Sequence, residues 1–136
     1  MIEGSVFGAK VIIDNFENNG ICAERVFASG GIAEKDGMTM QIFADVLGRE
    51  ITVPSVKNSA ARGSAIYASV AAGIYESINA AVSVLGVREG KTYYPNCENH
   101  EAYKELYGKY LSLYRRYGEG DDNLLRELKG HSGNRE

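Results

Sequence analysis

Only two stretches of this 136-residue chain read as β-strands, and both are short. Arg25-Val26-Phe27-Ala28-Ser29 is β-rich and runs into Gly30-Gly31, the pattern of a buried strand entering a turn. Glu50 to Val53 is the second, and Pro54 closes it. The segments around them carry helical periodicity, so the two strands read as a parallel pair. A parallel sheet of two strands does not stand alone, because both of its faces and both of its edges need cover. The chain has the length of one domain. Its strand content is that of part of one.

The helices are easier to place. Val6, Ala9, Ile12, Ile13 and Phe16 recur at three- and four-residue steps, which predicts an amphipathic helix over Ser5–Phe16, with Gly20 supplying the stop. Met38, Ile42, Phe43, Val46 and Leu47 mark a second helix, capped at Gly48. Ser59–Ala72 predicts a third, built of small residues (Ala60, Ala61, Gly63, Ala65, Ala68, Ala71, Ala72) that lets it pack close to another helix or a ligand. Gly73 need not break it: Ile74, Ile78, Ala81 and Val82 continue the helical pattern, in the same helix or in a separate one, and Gly86–Asn99 reads as loop. The last strong element is a helix over Glu101–Tyr117. There Tyr103, Tyr107, Tyr110, Tyr114 and Tyr117 step by 4, 3, 4 and 3, a seam of tyrosines on one face. Its favoured role is packing inside the chain, since tyrosine combines a large apolar ring with a hydroxyl that stays wet. Beyond residue 118 the chain turns polar, with a short helix suggested at Leu124, Leu125 and Leu128. The expected order is α-β-α-β-α-α.

Composition narrows the function classes. Hydrophobic residues at 44% and charged residues at 24% exclude a disordered chain and a disulfide scaffold. A net charge of −3 offers no electrostatic footing for nucleic acid or an anionic membrane. Cys22 and Cys97 read as free thiols of a reducing cytoplasm. The most apolar stretch, Ala65–Leu85, is broken by Ser69, Gly73, Glu76, Ser77, Asn79 and Ser83, too polar to span a bilayer. The start shows no signal-peptide pattern. His100 and His131, without a Cys/His cluster, suggest no metal site.

The segment best suited to chemistry is Ala28-Ser29-Gly30-Gly31-Ile32-Ala33-Glu34-Lys35-Asp36. A strand ends in two residues without Cβ atoms, so a ligand can approach the backbone there, and N–H groups near a helix start favour phosphate. Neither a Walker A motif nor Gly-x-Gly-x-x-Gly is present. Lys35 reads as a solvated lysine, and Gln41 and Asp45 as a pair one helical turn apart. Asp14 and Asp45, both within predicted helices, read as structural or solvent-facing, and Cys97 with His100 lacks any orienting partner for nucleophilic catalysis.

The stretch Gly30-Gly31-Ile32-Ala33-Glu34-Lys35-Asp36-Gly37-Met38-Thr39-Met40-Gln41-Ile42-Phe43-Ala44-Asp45-Val46 resembles the adenosine-binding segment of FGGY-family carbohydrate kinases, and within them the ribulokinase branch. Glu3-Gly4-Ser5-Val6-Phe7-Gly8-Ala9-Lys10 is similar to the helix that precedes it. Ala60-Ala61-Arg62-Gly63-Ser64-Ala65 resembles the family's Ala-Leu-Gly-Ala-Ala helix start, and Tyr94-Pro95 with the tyrosine series resembles the C-terminal helix. The likeness runs over about residues 3 to 117.

It implies an α/β fold: the C-terminal part of an actin-like, ribonuclease-H-like ATPase domain with a Tyr-rich C-terminal helix. Residues 1–118 would form the nucleotide-binding segment and 119–136 a polar tail. It implies ATP and Mg2+ as cofactors. The reaction would be phosphorylation of a ketopentose, L-ribulose at O5, with the sugar held through an N-terminal domain that this segment lacks. Gly30 and Gly31 would lie against the α-phosphate and adenosine through their backbone. Asp36 falls where the family carries an Asn that contacts the nucleotide, so a pure acceptor replaces an amide. Gly37 replaces a common Pro, and Arg62, read as a surface residue, replaces a Leu. No residue of this chain matches the catalytic aspartate, so the chain alone is expected to be inactive. The alternative is a non-catalytic nucleotide-binding or subunit-interaction module whose Tyr helix pairs with a second copy.

Overall fold

A computed structural model of the protein describes residues 2–56, 58–86 and 90–119. Helix α1 spans Ile2–Asn18, strand β1 Val26–Phe27, α2 Gly31–Lys35, α3 Gly37–Leu47 and β2 Ile51–Pro54. Then follow α4 Ser59–Ala71, α5 Ile78–Leu85, β3 Gly90–Tyr93 and α6 Cys97–Tyr114, which runs into a π-helical turn at Arg115–Glu119. The leucines at 124, 125 and 128 lie outside the described residues.

Helix α3 is the centre of the molecule. Asp36 starts it: its side chain accepts from the N–H groups of Met38 and Thr39, an N-cap that satisfies two of the orphan donors of the first turn. Gly48 ends it at φ 64°, as the sequence suggests, with its N–H on the Ala44 carbonyl. Seven of its eleven residues, Thr39, Met40, Ile42, Ala44, Asp45, Val46 and Leu47, are buried, so it has core on nearly every side.

One side meets the sheet. Ala33, Met40, Ala44, Leu47, Ile51 and Val53 form a cluster there, joined by Ile13, Val26, Ala28, Phe43 and Tyr93. The other side meets α1 and α6, where Val6, Phe7, Ile42, Val46 and Tyr107 form a second cluster with Tyr103, Tyr110 and Leu111 against it. Phe43 packs against both. The tyrosine seam turns inward, as favoured: the Phe7 ring lies 6.2, 5.7 and 5.4 Å from the rings of Tyr103, Tyr107 and Tyr110.

The sheet departs from the two-strand expectation. β1 and β2 are parallel, pairing Val26 with Ile51 and Phe27 with Thr52. β3 joins the other edge of β2 antiparallel, from Ile51–Tyr93 through Pro54–Gly90. This strand lies inside the stretch expected to be loop. Gly90-Lys91-Thr92-Tyr93 carries no apolar alternation because it is an edge strand with two exposed residues, and its extended form comes from pairing with β2. β1 is shorter and less covered than expected: Phe27 is 60% exposed, since β1 is the opposite edge.

Two helices also differ from expectation. The small-residue helix α4 packs against α5 but buries none of its residues. Gly73, at φ 74°, separates α4 from α5, and Ser77 caps α5 by accepting from the Ala80 N–H. Helix α6 begins at Cys97, earlier than the tyrosine spacing suggests, because Asn96 caps it through the Asn99 N–H.

Candidate functional site

The turn after β1 holds the candidate residues. Gly30 has φ 103° and ψ 176°, a conformation that a side chain rarely adopts. A Cβ built on Gly30 or Gly31 meets no atom within 4 Å, so both backbones face open space rather than a packed neighbour. Gly31 begins α2, a helix of five residues whose Glu34 N–H returns to the Gly30 carbonyl at 3.0 Å.

Asp36 follows α2 and is already committed to the chain. Oδ1 accepts from the N–H groups of Met38 and Thr39, each at 3.1 Å, and Oδ2 accepts from the Thr39 hydroxyl. Those bonds, the Thr39 hydroxyl first, hold its carboxyl below the usual carboxylate range, so it is an anionic acceptor. The structure brings Gly31 and Asp36 to one cavity of about 520 Å³, with Ile32, Lys35 and Thr39 beside them. Gly30 adjoins it through the turn.

Sequence reasoning did not include the opposite wall of that cavity. Ile2, Ser5 and Val6 of α1, with Phe43 of α3, complete it. Their spacing, i, i+3 and i+4 on α1, was the available signal of a shared face. The result is a mainly apolar slot with a carboxylate, an ammonium and two hydroxyls at its rim. Its size and its few convergent polar groups suit a small organic ligand.

The other candidates are structural. Asp45 is 2% exposed and accepts from Gln41 Nε2 at 2.9 Å, the Asn96 N–H at 2.8 Å and Asn99 Nδ2 at 2.8 Å. His100 donates from Nδ1 to the Asp45 carbonyl at 2.7 Å with its ring against Gly48, and Cys97 is free and exposed. Asp14 accepts from Lys10 and from the Tyr107 hydroxyl. Arg62 is exposed, as read. Among the described residues no group of three or more His, Cys, Asp or Glu is placed to hold a metal ion. No helix among them is long and apolar enough to cross a membrane.

Comparison with known proteins identifies the family and the fold. Residues 1–72 match the family model of the FGGY family of carbohydrate kinases, C-terminal domain. The ribulokinase of Shouchella clausii is 38% identical over 133 residues, which are 95% of this chain and 24% of that protein. The xylulose kinase of Rhodospirillum rubrum is similar in structure, with a TM-score of 0.68 and 25% identity over 85% of this chain and 23% of its own. The ligand-bound xylulose kinase of Lactobacillus acidophilus shares the fold at a TM-score of 0.74 and 20% identity, covering 90% of this chain and 24% of its own. The chain thus spans about a quarter of the length of the curated relatives it matches.

Proposed function

Because this chain belongs to the FGGY family of carbohydrate kinases, as a ribulokinase-like C-terminal part, we propose that it supplies the nucleotide-binding wall of an ATP-dependent ketopentose kinase. The parent reaction is transfer of the γ-phosphoryl group of ATP to O5 of L-ribulose, releasing ADP. The observation that carries the reading is the open backbone at Gly30 and Gly31, where no protein atom lies within 4 Å of a built Cβ and a ligand can approach the main chain. Their backbone lies against the α-phosphate and ribose, and the apolar slot beside them takes the base. Asp36, as an anion, accepts a hydrogen bond there and repels phosphate oxygens, so it faces the nucleoside end.

Phosphoryl transfer needs positioning and charge neutralisation more than covalent chemistry from the protein. Mg2+ supplies much of that neutralisation when bound. The described residues offer no ligand cluster for it, so this chain's share is to hold and orient the nucleotide. On this reading the base, the sugar pocket and the metal ligands belong to the length of the relatives that this chain does not cover, and the chain alone does not turn over. The setting is the cytoplasm, consistent with Cys22 and Cys97 standing free and exposed.

The test is titration of labelled ATP into the purified chain and into Gly31→Val. A Cβ at Gly31 has no protein atom within 4 Å, so the variant should fold with an unchanged melting temperature while ATP binding falls by about tenfold or more. Equal binding by both proteins sinks the assignment of the cradle. Absence of ATP binding together with a stable dimer favours instead a non-catalytic interaction module. Ribulose-dependent ATP turnover by the chain alone contradicts its predicted inactivity.

A further inference from the structure

The C-terminal half of α1 and the end of α6 enclose a second concavity of about 450 Å³. It is separate from the first: Ser5 and Asn15 lie ten residues apart on one helix, about 15 Å along its axis. Its floor is preorganised. The Asp14 carboxylate is held by the Tyr107 hydroxyl at 2.6 Å and by Lys10 Nζ at 3.0 Å. A carboxylate has about four acceptor positions, so these two bonds leave acceptor capacity for a ligand. Lys10, outside the groove's lining, also lies 5.1 Å from the centre of the Tyr107 ring.

The rim carries donors. Arg115 makes no ion pair with any carboxylate among the described residues, and the Asn18 amide makes no hydrogen bond there; both line the groove. Phe16 and Leu111 supply an apolar wall. Of the charged groups lining the groove, Asp14 is already paired with Lys10, which lies outside the lining, and Arg115 is left without a carboxylate partner, while nearby Glu17 is paired with Arg49. The balance favours an anion. The arrangement favours one that also bears hydroxyls, because planar carboxylate, amide and guanidinium groups each span two neighbouring oxygens. Guanidinium in particular binds phosphate through two parallel hydrogen bonds.

We propose that this groove is a second ligand site, for a phosphorylated polyol. Arg115 takes the phosphate, Asn18 supports it, and the remaining acceptor positions of Asp14 receive adjacent hydroxyls.

The experiment is an NMR titration of the full 136-residue chain with glucose 6-phosphate. The expected result is shifts at Asn15, Asn18 and Arg115, with glucose and inorganic phosphate each binding about tenfold more weakly. Arg115→Gln, at an exposed position, should keep its melting temperature and bind glucose 6-phosphate about tenfold more weakly. Asn18→Ala should weaken it in the same direction. Shifts confined to Gly30 and Gly31, undiminished binding by Arg115→Gln, or equal affinity for inorganic phosphate would each overturn the proposal. The result does not depend on whether ATP binds at the first site.

Discussion

The Tyr107 hydroxyl donates to Asp14 Oδ2 at 2.6 Å, joining two helices whose bonded residues are 93 positions apart in the chain. This one contact ties the tyrosine seam of α6 to the polar side of α1, with the aromatic cluster on Phe7 just above it. Tyr107→Phe keeps the ring and removes the bond, leaving Asp14 with Lys10. The expected loss is about 1 kcal/mol in urea unfolding. Tyr107→Ala also empties the cluster and should cost about 3–5 kcal/mol.

The same contact gives alkaline stability a defined slope. Burial, then the hydrogen bond to Asp14 and its charge, push the Tyr107 phenol above its ordinary range. The folded protein therefore keeps this proton to higher pH than the unfolded chain does. The contribution is complete below about pH 10, the ordinary value for tyrosine, and is lost as pH rises beyond it. Urea midpoints should fall from about pH 10 upward in the wild type, and less steeply in Tyr107→Phe. Matching slopes would rule the linkage out.

Asp45 anchors the start of α6. Asp45→Ala removes the acceptor of the Asn96 N–H, of Asn99 Nδ2 and of one Gln41 bond, three partly buried hydrogen bonds. About 3 kcal/mol should be lost, with hydrogen exchange accelerating first at residues 96–100. Uniform acceleration along the chain would contradict a local anchoring role.

Gly48 and His100 form a steric pair. A Cβ on Gly48 would stand 2.5 Å from His100 Cε1, and φ there is already positive. Gly48→Ala should cost the backbone penalty of about 1–2 kcal/mol and the clash besides. Adding His100→Ala relieves only the clash, so the double mutant should be less destabilised than the sum of the singles. Strict additivity would show that the ring moves aside freely.

Asp36 caps α3, and its carboxyl is held low by the bonds it accepts, the Thr39 hydroxyl first. A lowered carboxyl contributes stability above its unfolded value of about 3.9, and that contribution disappears as pH falls through the folded value. Asp36→Ala should lower the melting temperature at neutral pH and flatten its acid dependence. Asp36→Asn, which still accepts the cap bonds, should retain most of the melting temperature.

What could be read from the chain follows the reach of each signal. Helix α3 and its Gly48 stop were visible because burial on a 3.6-residue period is a local pattern. So was the turn at Gly30-Gly31, where the composition itself demands an unusual backbone. β3 was invisible because its extended form is imposed by β2, some forty residues away, and not by its own alternation. The cap role of Asp36 left a trace, an acidic residue just before an apolar run. Asp45 left less: a lone carboxylate among apolar neighbours signals burial, but its partners Asn96 and Asn99 belong to a segment that read as loop. The cavity wall from α1 depended on how two helices approach each other, which spacing on one helix does not encode.

Phe43 packs against both apolar clusters, and α3 as a whole separates the sheet from the α1–α6 pair. A helix shared in this way removes the option of losing one layer while keeping the other. Partial melting of the sheet would bare one flank of α3, and undocking of α6 would bare the opposite flank. The two layers should therefore come apart in a single transition, with the α3 amides the slowest to exchange and no half-folded species accumulating between.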